Sequence, residues 1–198
     1  MHTKLCLRIP VLLALITLLV TGCASVPMEA LVKDTESKQF VPDPDKASLY
    51  IYRNEVLGAA IPMSVFINGK NLGQTASKTY FHLSLIPGQY DIDSTAENNC
   101  SLSLSVEPNQ NYFVWQEIKM GMWMARCALH EVSQQEGRDG VTESKLIKMQ
   151  ISEEDILPLG QSADSVATKI RELNELYKDG LITEDEYLSK KKALLDQL

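Results

Sequence analysis

Between Ala47 and about Val132 the apolar residues recur with a period of two, and turn residues break the pattern at short intervals. That period places successive side chains on opposite faces of extended chain, which argues for strands and against helices here. Leu49-Tyr50-Ile51-Tyr52 opens the series and Met63-Ser64-Val65-Phe66-Ile67 follows. Asn68-Gly69 comes next. Both residues tolerate the positive φ that a type I′ hairpin turn demands at its two central positions. From Tyr80 to Leu85, Phe81, Leu83 and Leu85 share one face, and His82 is expected on the other, toward water. Pro87-Gly88 turns the chain into Tyr90-Asp91-Ile92-Asp93. Leu102, Leu104 and Val106 then alternate with Ser101, Ser103 and Ser105, as in a strand with one wet face. Pro108-Asn109 makes another turn, Tyr112 to Trp115 another strand, and Ala128 to Val132 the last. Seven short strands joined by turns predict a mainly β fold, an antiparallel β-sandwich over residues 47–150.

The C-terminus changes period. Val166, Ile170, Leu173 and Tyr177 repeat at helical spacing, and Gly180 stands where a glycine ends a helix. Thr183 and Glu186 form a capping box, with acids in the first turn of a second helix and Lys190, Lys191 and Lys192 downstream. Tyr187, Leu194 and Leu198 give that helix an apolar stripe. Residues 165–198 therefore predict a helical hairpin. It is too small to hold a core of its own, so it must pack on a copy of itself, the sandwich or another protein. The residues expected to make that contact are Ile170, Leu173, Tyr177, Leu181, Ile182, Tyr187, Leu194 and Leu195. Between sandwich and hairpin, residues 133–140 read as a loop, 141–149 as a short helix and 151–164 as a linker.

At the other end, Lys4 and Arg8 precede an apolar run from Ile9 to Val20, and Val20-Thr21-Gly22-Cys23 follows. The run is about 12 residues where a spanning helix needs roughly 20, so it suits a signal peptide over residues 1–22. The tetrapeptide resembles a bacterial lipobox. That resemblance implies cleavage before Cys23 and lipidation of its sulfur. Ala24 in the next position resembles outer-membrane lipoproteins rather than retained ones, which implies a periplasm-facing anchor in the outer membrane. Residues 23–46, with Pro27, Pro42 and Pro44, then read as a lipidated tether.

The formal net charge is −7, and loss of the leader's two basic residues makes the remainder more acidic. That charge argues against nucleic acid as a partner. Apart from Cys6 and Cys23, two cysteines remain, and in an exported chain Cys100 and Cys127 suggest a disulfide. The chain-entropy contribution of a loop of that size is roughly 3–4 kcal/mol.

No catalytic constellation is visible. The histidines beyond the leader are His82 and His130, and no Ser-His-Asp order, H-E-x-x-H or phosphate loop accompanies them. The expectation is a protein that is not an enzyme and needs no cofactor. Met120, Met122 and Met124 would share one face of a strand, and soft thioethers suit Cu(I), so copper handling is the alternative function. Methionine as adaptable core filling is the competing explanation. Asp91, Asp93 and Glu97 read as a solvated face rather than a calcium loop.

Two family resemblances add to this. The run Asp179-Gly180-Leu181-Ile182-Thr183, with Glu186-Tyr187, Lys191-Lys192 and Leu194-Leu195, resembles the short C-terminal domain, SHOCT. The resemblance implies oligomerisation or partner interaction without catalysis. Leu49-Tyr50-Ile51-Tyr52-Arg53, Val65 to Lys70, Leu72-Gly73 and Leu85 to Tyr90 resemble the bacterial lipoprotein family of domain of unknown function 2846. The Asn-Gly-Lys and Pro-Gly-x-Tyr elements are also similar to small transthyretin-like and PEGA-type sandwiches. The function expected from the whole chain is a lipid-anchored binding or scaffolding module of the envelope, or an accessory lipoprotein of a secretion or stress-response system.

Overall fold

The computed structural model describes residues 26–56, 58–120 and 125–195. Strands β1 (Ala47–Arg53), β4 (Thr79–Leu85), β7 (Gln110–Met120), β8 (Ala125–Glu131) and β9 (Lys145–Leu146) form one sheet in the order β8-β7-β1-β4-β9. Strands β2 (Met63–Ile67), β3 (Lys70–Thr75), β5 (Gly88–Thr95) and β6 (Asn99–Val106) form the other, in the order β3-β2-β5-β6. The β-sandwich is as the alternation predicted. Asn68 and Gly69, at φ 47° and 75°, make the β2–β3 turn. The serines of β6 face out, where Ser103 donates to Asp91 at 2.6 Å across the sheet.

Leu49 and Ile51 of β1 meet Val65, Ile67, Phe81, Leu83, Ile92 and Val114 between the sheets, all without exposed surface. Each such side chain contributes about 1.5–3 kcal/mol on burial. The alternate residues of β1 are buried too. Tyr50 and Tyr52 join Tyr80, Phe113, Val141 and Leu146 in a second cluster on the outer face of the five-stranded sheet. Two helices border that face, α1 (Leu31–Ser37) and α2 (Gln134–Thr142).

Four details differ from the pattern in the sequence. First, β1 pairs with β7 in parallel, as does β4 with β9. The Pro108–Asn109 turn carries the chain from one sheet to the other beside the start of β1, where Asn109 N–H donates to Lys46 C=O, so both strands leave in one direction. Second, much of the expected tether is folded. Val26 is buried, Met28 bridges to Ile147, and the Tyr50 hydroxyl donates to Ser37 C=O at 3.0 Å. Third, the expected loop at 133–140 is mostly helix α2, and the expected helix at 141–149 holds strand β9. Ser133 caps α2 by accepting the Glu136 N–H. Fourth, residues 151–164 do not simply link. Ile156 is buried, and the Leu159 N–H donates to Gln89 C=O at 2.7 Å.

Glycines hide α2 from a propensity reading, and packing explains them. A Cβ on Gly137 would stand 2.1 Å from Cγ of Phe113, and one on Gly140 would stand 2.1 Å from Cε2 of Tyr52. The helix lies too close to the aromatic layer for any side chain. Gly137→Ala is expected to destabilise the fold by about 1–3 kcal/mol through overpacking, despite alanine's better helix propensity. A thermal melt with an unchanged or raised midpoint would remove close approach as the reason for glycine.

Candidate functional site

Helices α3 (Gln161–Lys178) and α4 (Glu184–Leu195) form the predicted hairpin. Its turn is closed twice. Gly180 at φ 69° lets its own N–H reach Tyr177 C=O at 3.1 Å and the Leu181 N–H reach Leu176 C=O at 3.0 Å, a Schellman ending. Thr183 N–H donates to the Glu186 carboxylate at 2.9 Å while the Glu186 N–H donates back to the Thr183 hydroxyl. Those bonds hold the Glu186 carboxyl below the usual range. Tyr177 and Tyr187 stack at 4.9 Å between ring centres, and the Lys191 ammonium lies 5.4 Å from the Tyr187 ring.

The residues expected to meet a partner divide by exposure. Leu173 is 7% exposed, so it serves the chain's own packing and offers no contact surface. Ile170, Ile182, Tyr187 and Leu194 are half-buried. Tyr177 is spent partly on the tyrosine stack. Leu181 and Leu195 stand out at 69% and 47%, and with them Leu188 at 54%. Leu188 was not expected, yet it sits seven residues from each of the other two. For Leu188 and Leu195, both on α4, that spacing returns a residue to nearly the same side of the helix, while Leu181 stands in the turn before it.

Cys100 on β6 and Cys127 on β8 form the expected disulfide, with Cα atoms 5.8 Å apart. It ties an edge of one sheet to an edge of the other, beside Met63, Ile118 and Ile61. The Cys127 N–H also donates to the Asn98 side chain at 2.7 Å. Cys23, Met122, Met124 and the Met120 side chain lie outside the described residues.

His82 is half-buried rather than open to water. Its ring stacks on Tyr50 at 4.5 Å, and its Nε2 is buried without a hydrogen-bond partner. Alternation put it on the correct face of β4, but aromatic side chains and α1 occupy that side of the sheet. A cleft of about 390 Å³ opens beside it, with Glu29, Lys33, Glu36 and Glu153 in the lining. His130 pairs with Glu117 at 2.8 Å on the other side of the sheet from β9. No group of three or more His, Cys, Asp or Glu that could hold a metal assembles among the described residues.

The fold is a two-sheet sandwich followed by a C-terminal helix pair. Residues 43–127 match the family described as protein of unknown function (DUF2846), and residues 168–195 match the short C-terminal domain, SHOCT. An uncharacterized protein of Haemophilus influenzae is 31% identical over 129 residues, which cover 64% of this chain and 77% of that relative. The chain belongs to the same family as this relative.

Burial of His82 gives a definite pH dependence. Its folded pKa is pushed down to about 4 by desolvation, while an unfolded chain takes up the same proton near 6.5. The unfolded state therefore binds more protons between those values, and stability falls as pH drops from about 6.5 toward 4. The loss is expected to be on the order of 3 kcal/mol. Urea unfolding at several pH values should show a shallower decline in His82→Phe than in the wild type. Parallel curves would mean that the folded chain accommodates a protonated His82.

Proposed function

We propose that this protein is a lipid-anchored, periplasm-facing lipoprotein of the outer membrane that acts as a binding or scaffolding module and not as an enzyme. The α3–α4 hairpin is its association element, and the sandwich is the body it carries. The observation that carries this reading is the exposure of Leu188 and Leu195, seven residues apart on α4, and of Leu181 in the turn before it, on a hairpin whose Val166 and Leu173 are already buried. Three large exposed apolar side chains on one small hairpin have a reason to stay there if a second hairpin covers them. The favoured occupant is a second copy of this chain, because one short sequence then supplies both halves of a self-complementary seam. The SHOCT match supports the same role.

Anchoring follows from Cys23. A single acyl chain binds a bilayer only marginally, and additional chains on the same residue make release slow. Val26 is already buried in the folded unit, so the free spacer between anchor and domain is short. The domain then rides close to the membrane rather than reaching far from it.

Sedimentation of the detergent-solubilised full-length protein is expected to show an oligomer. Leu181→Glu/Leu188→Glu/Leu195→Glu should reduce it to a monomer with the same melting temperature. A wild type that sediments as a monomer would reject self-association and redirect the hairpin to a foreign envelope partner. Separately, Cys23→Ser should leave the fold intact and move the protein out of the carbonate-washed membrane fraction. Retention in that fraction would overturn the lipid anchor.

A further inference from the structure

Val26 is buried against the core between the sheets, and three peptide units separate it from Cys23. Three extended residues span at most about 11 Å. The surface around Val26 therefore stands no farther than that from Cys23. The segment that follows is fixed to the sandwich. The Lys148 N–H donates to Pro27 C=O at 2.9 Å, Met28 bridges to Ile147, and the Glu29 N–H donates to Leu146 C=O at 3.0 Å. An acylated Cys23 lies at the level of the lipid headgroups, so this one side of the folded unit is brought to the membrane.

The side chains on that side are apolar and exposed. Met28 is 46% exposed, Leu31 78% and Val32 67%, all within five residues. Exposed apolar groups gathered in one place mark a surface that something covers. Their direction is set by α1. The Tyr80 hydroxyl binds the Asp34 carboxylate at 3.0 Å and the Ser37 hydroxyl at 3.2 Å, which turns those two residues toward the sandwich. Val32 stands two residues before Asp34, nearly opposite to it around the helix, and so points away from the protein.

The charges nearby do not oppose contact with lipid. Lys33 pairs with Glu29 at 3.2 Å and Lys38 with Asp34 at 2.8 Å, so these four residues add no net charge. The Lys33 side chain is well exposed, and it can lay its methylenes on an apolar surface while its ammonium stays among headgroups. Glu36 is exposed too, about 6 Å farther along the helix than Val32, which confines the contact to the first turn of α1.

We propose that Met28, Leu31 and Val32 dock on the bilayer that holds the acyl chains of Cys23, entering the boundary between headgroups and hydrocarbon. The proposal rests on the lipid-anchor reading and adds to it a second contact and an orientation. Apolar side chains of an interfacial helix sit about 5–10 Å into that boundary. The bilayer is favoured over a protein as the cover because the short connection to Cys23 keeps it within reach at all times. The segment runs beside β9, one edge of the five-stranded sheet, and β8 with its disulfide to β6 is the other edge. The sandwich then stands with its β9 edge at the membrane and its disulfide edge away from it.

Tryptophan scanning of the full-length lipidated protein tests this, in phosphatidylethanolamine and phosphatidylglycerol vesicles that contain brominated phosphatidylcholine. Leu31→Trp and Ser103→Trp both replace exposed residues, the second on β6 at the far edge, so both should melt as the wild type does. Leu31→Trp should raise the fraction of emission quenched by the brominated lipid above the wild-type level, more with bromines near the headgroups than with deep ones. Ser103→Trp should leave that fraction unchanged. Adding Val32→Glu to Leu31→Trp should remove the increase, because a charge is unfavourable in the apolar boundary. Flotation with the vesicles reads the anchor separately. Protein that floats without the Leu31→Trp increase would overturn the docking and leave the anchor standing, and protein that does not float would overturn both. Equal increases at the two positions would overturn the orientation and with it the proposal. A Leu31→Trp indole shielded from acrylamide but untouched by the lipid quencher would overturn the bilayer as the cover and assign the patch to a protein, a second copy of this chain included.

Discussion

Burial of β1 on both of its faces is the constraint on which the rest of the molecule depends. Leu49 and Ile51 fill the space between the sheets, and Tyr50 and Tyr52 project from the opposite side into the aromatic layer. A strand with no wet face must have neighbours at both edges and cover on both sides. β4 and β7 supply the edges, the four-stranded sheet covers one side, and α1 and α2 border the other. The phenols are held as well as packed. Tyr80 donates to the Asp34 carboxylate at 3.0 Å, and the Leu146 N–H donates to the same oxygen at 2.8 Å. Burial opposes the Asp34 charge, but bonds from Lys38, Leu146 and Tyr80 outweigh it and keep the carboxyl below its ordinary range. One aspartate thus joins the N-terminal helix, the central sheet and the last strand.

This arrangement separates the chemistry of the chain by location. The space between the sheets is mostly apolar, and its buried polar groups are paired within the chain: Thr75 donates to Gln116, Gln116 to Ser94, and Arg53 to the Gly58 and Ile61 carbonyls. The disulfide ties the two sheets at their β6 and β8 edges, where the sandwich is not closed by backbone pairing. Polar and charged groups gather where the helices meet the aromatic face, which is where the cleft beside His82 opens. The hairpin follows a different rule. The backbone groups at its turn are satisfied by the Gly180 ending and the Thr183–Glu186 box, so its exposed leucines are not needed to hold the turn.

Local chemistry was readable where a few consecutive residues decide the outcome. Asn68-Gly69 forms its turn because only residues tolerant of positive φ fit there, whatever surrounds them. Gly180 and the Thr183–Glu186 box work the same way, through bonds spanning five residues or fewer. Long-range contacts were not readable. α1 is short and lies among prolines, and Asp34 finds its partner 112 residues away. Gly137 and Gly140 read as helix breakers until Phe113 and Tyr52 are seen beneath them. His82 reads as a wet residue because alternation names a face and cannot say what covers it. Leu188 stands outside the Tyr187, Leu194 and Leu198 stripe, so the apolar periodicity of the helix does not point to it.

The sequence alone therefore determined the period of the strands, the positions of the turns, the hairpin caps and the class of fold. These depend on steric limits and hydrogen bonds within a few residues. Tertiary structure alone decided that β7 runs parallel to β1, that the segment before the sandwich belongs to it, and that this segment keeps Leu31 and Val32 exposed. Those outcomes depend on which surfaces meet, and residues far apart in the chain become neighbours only when both faces of β1 must be covered at once.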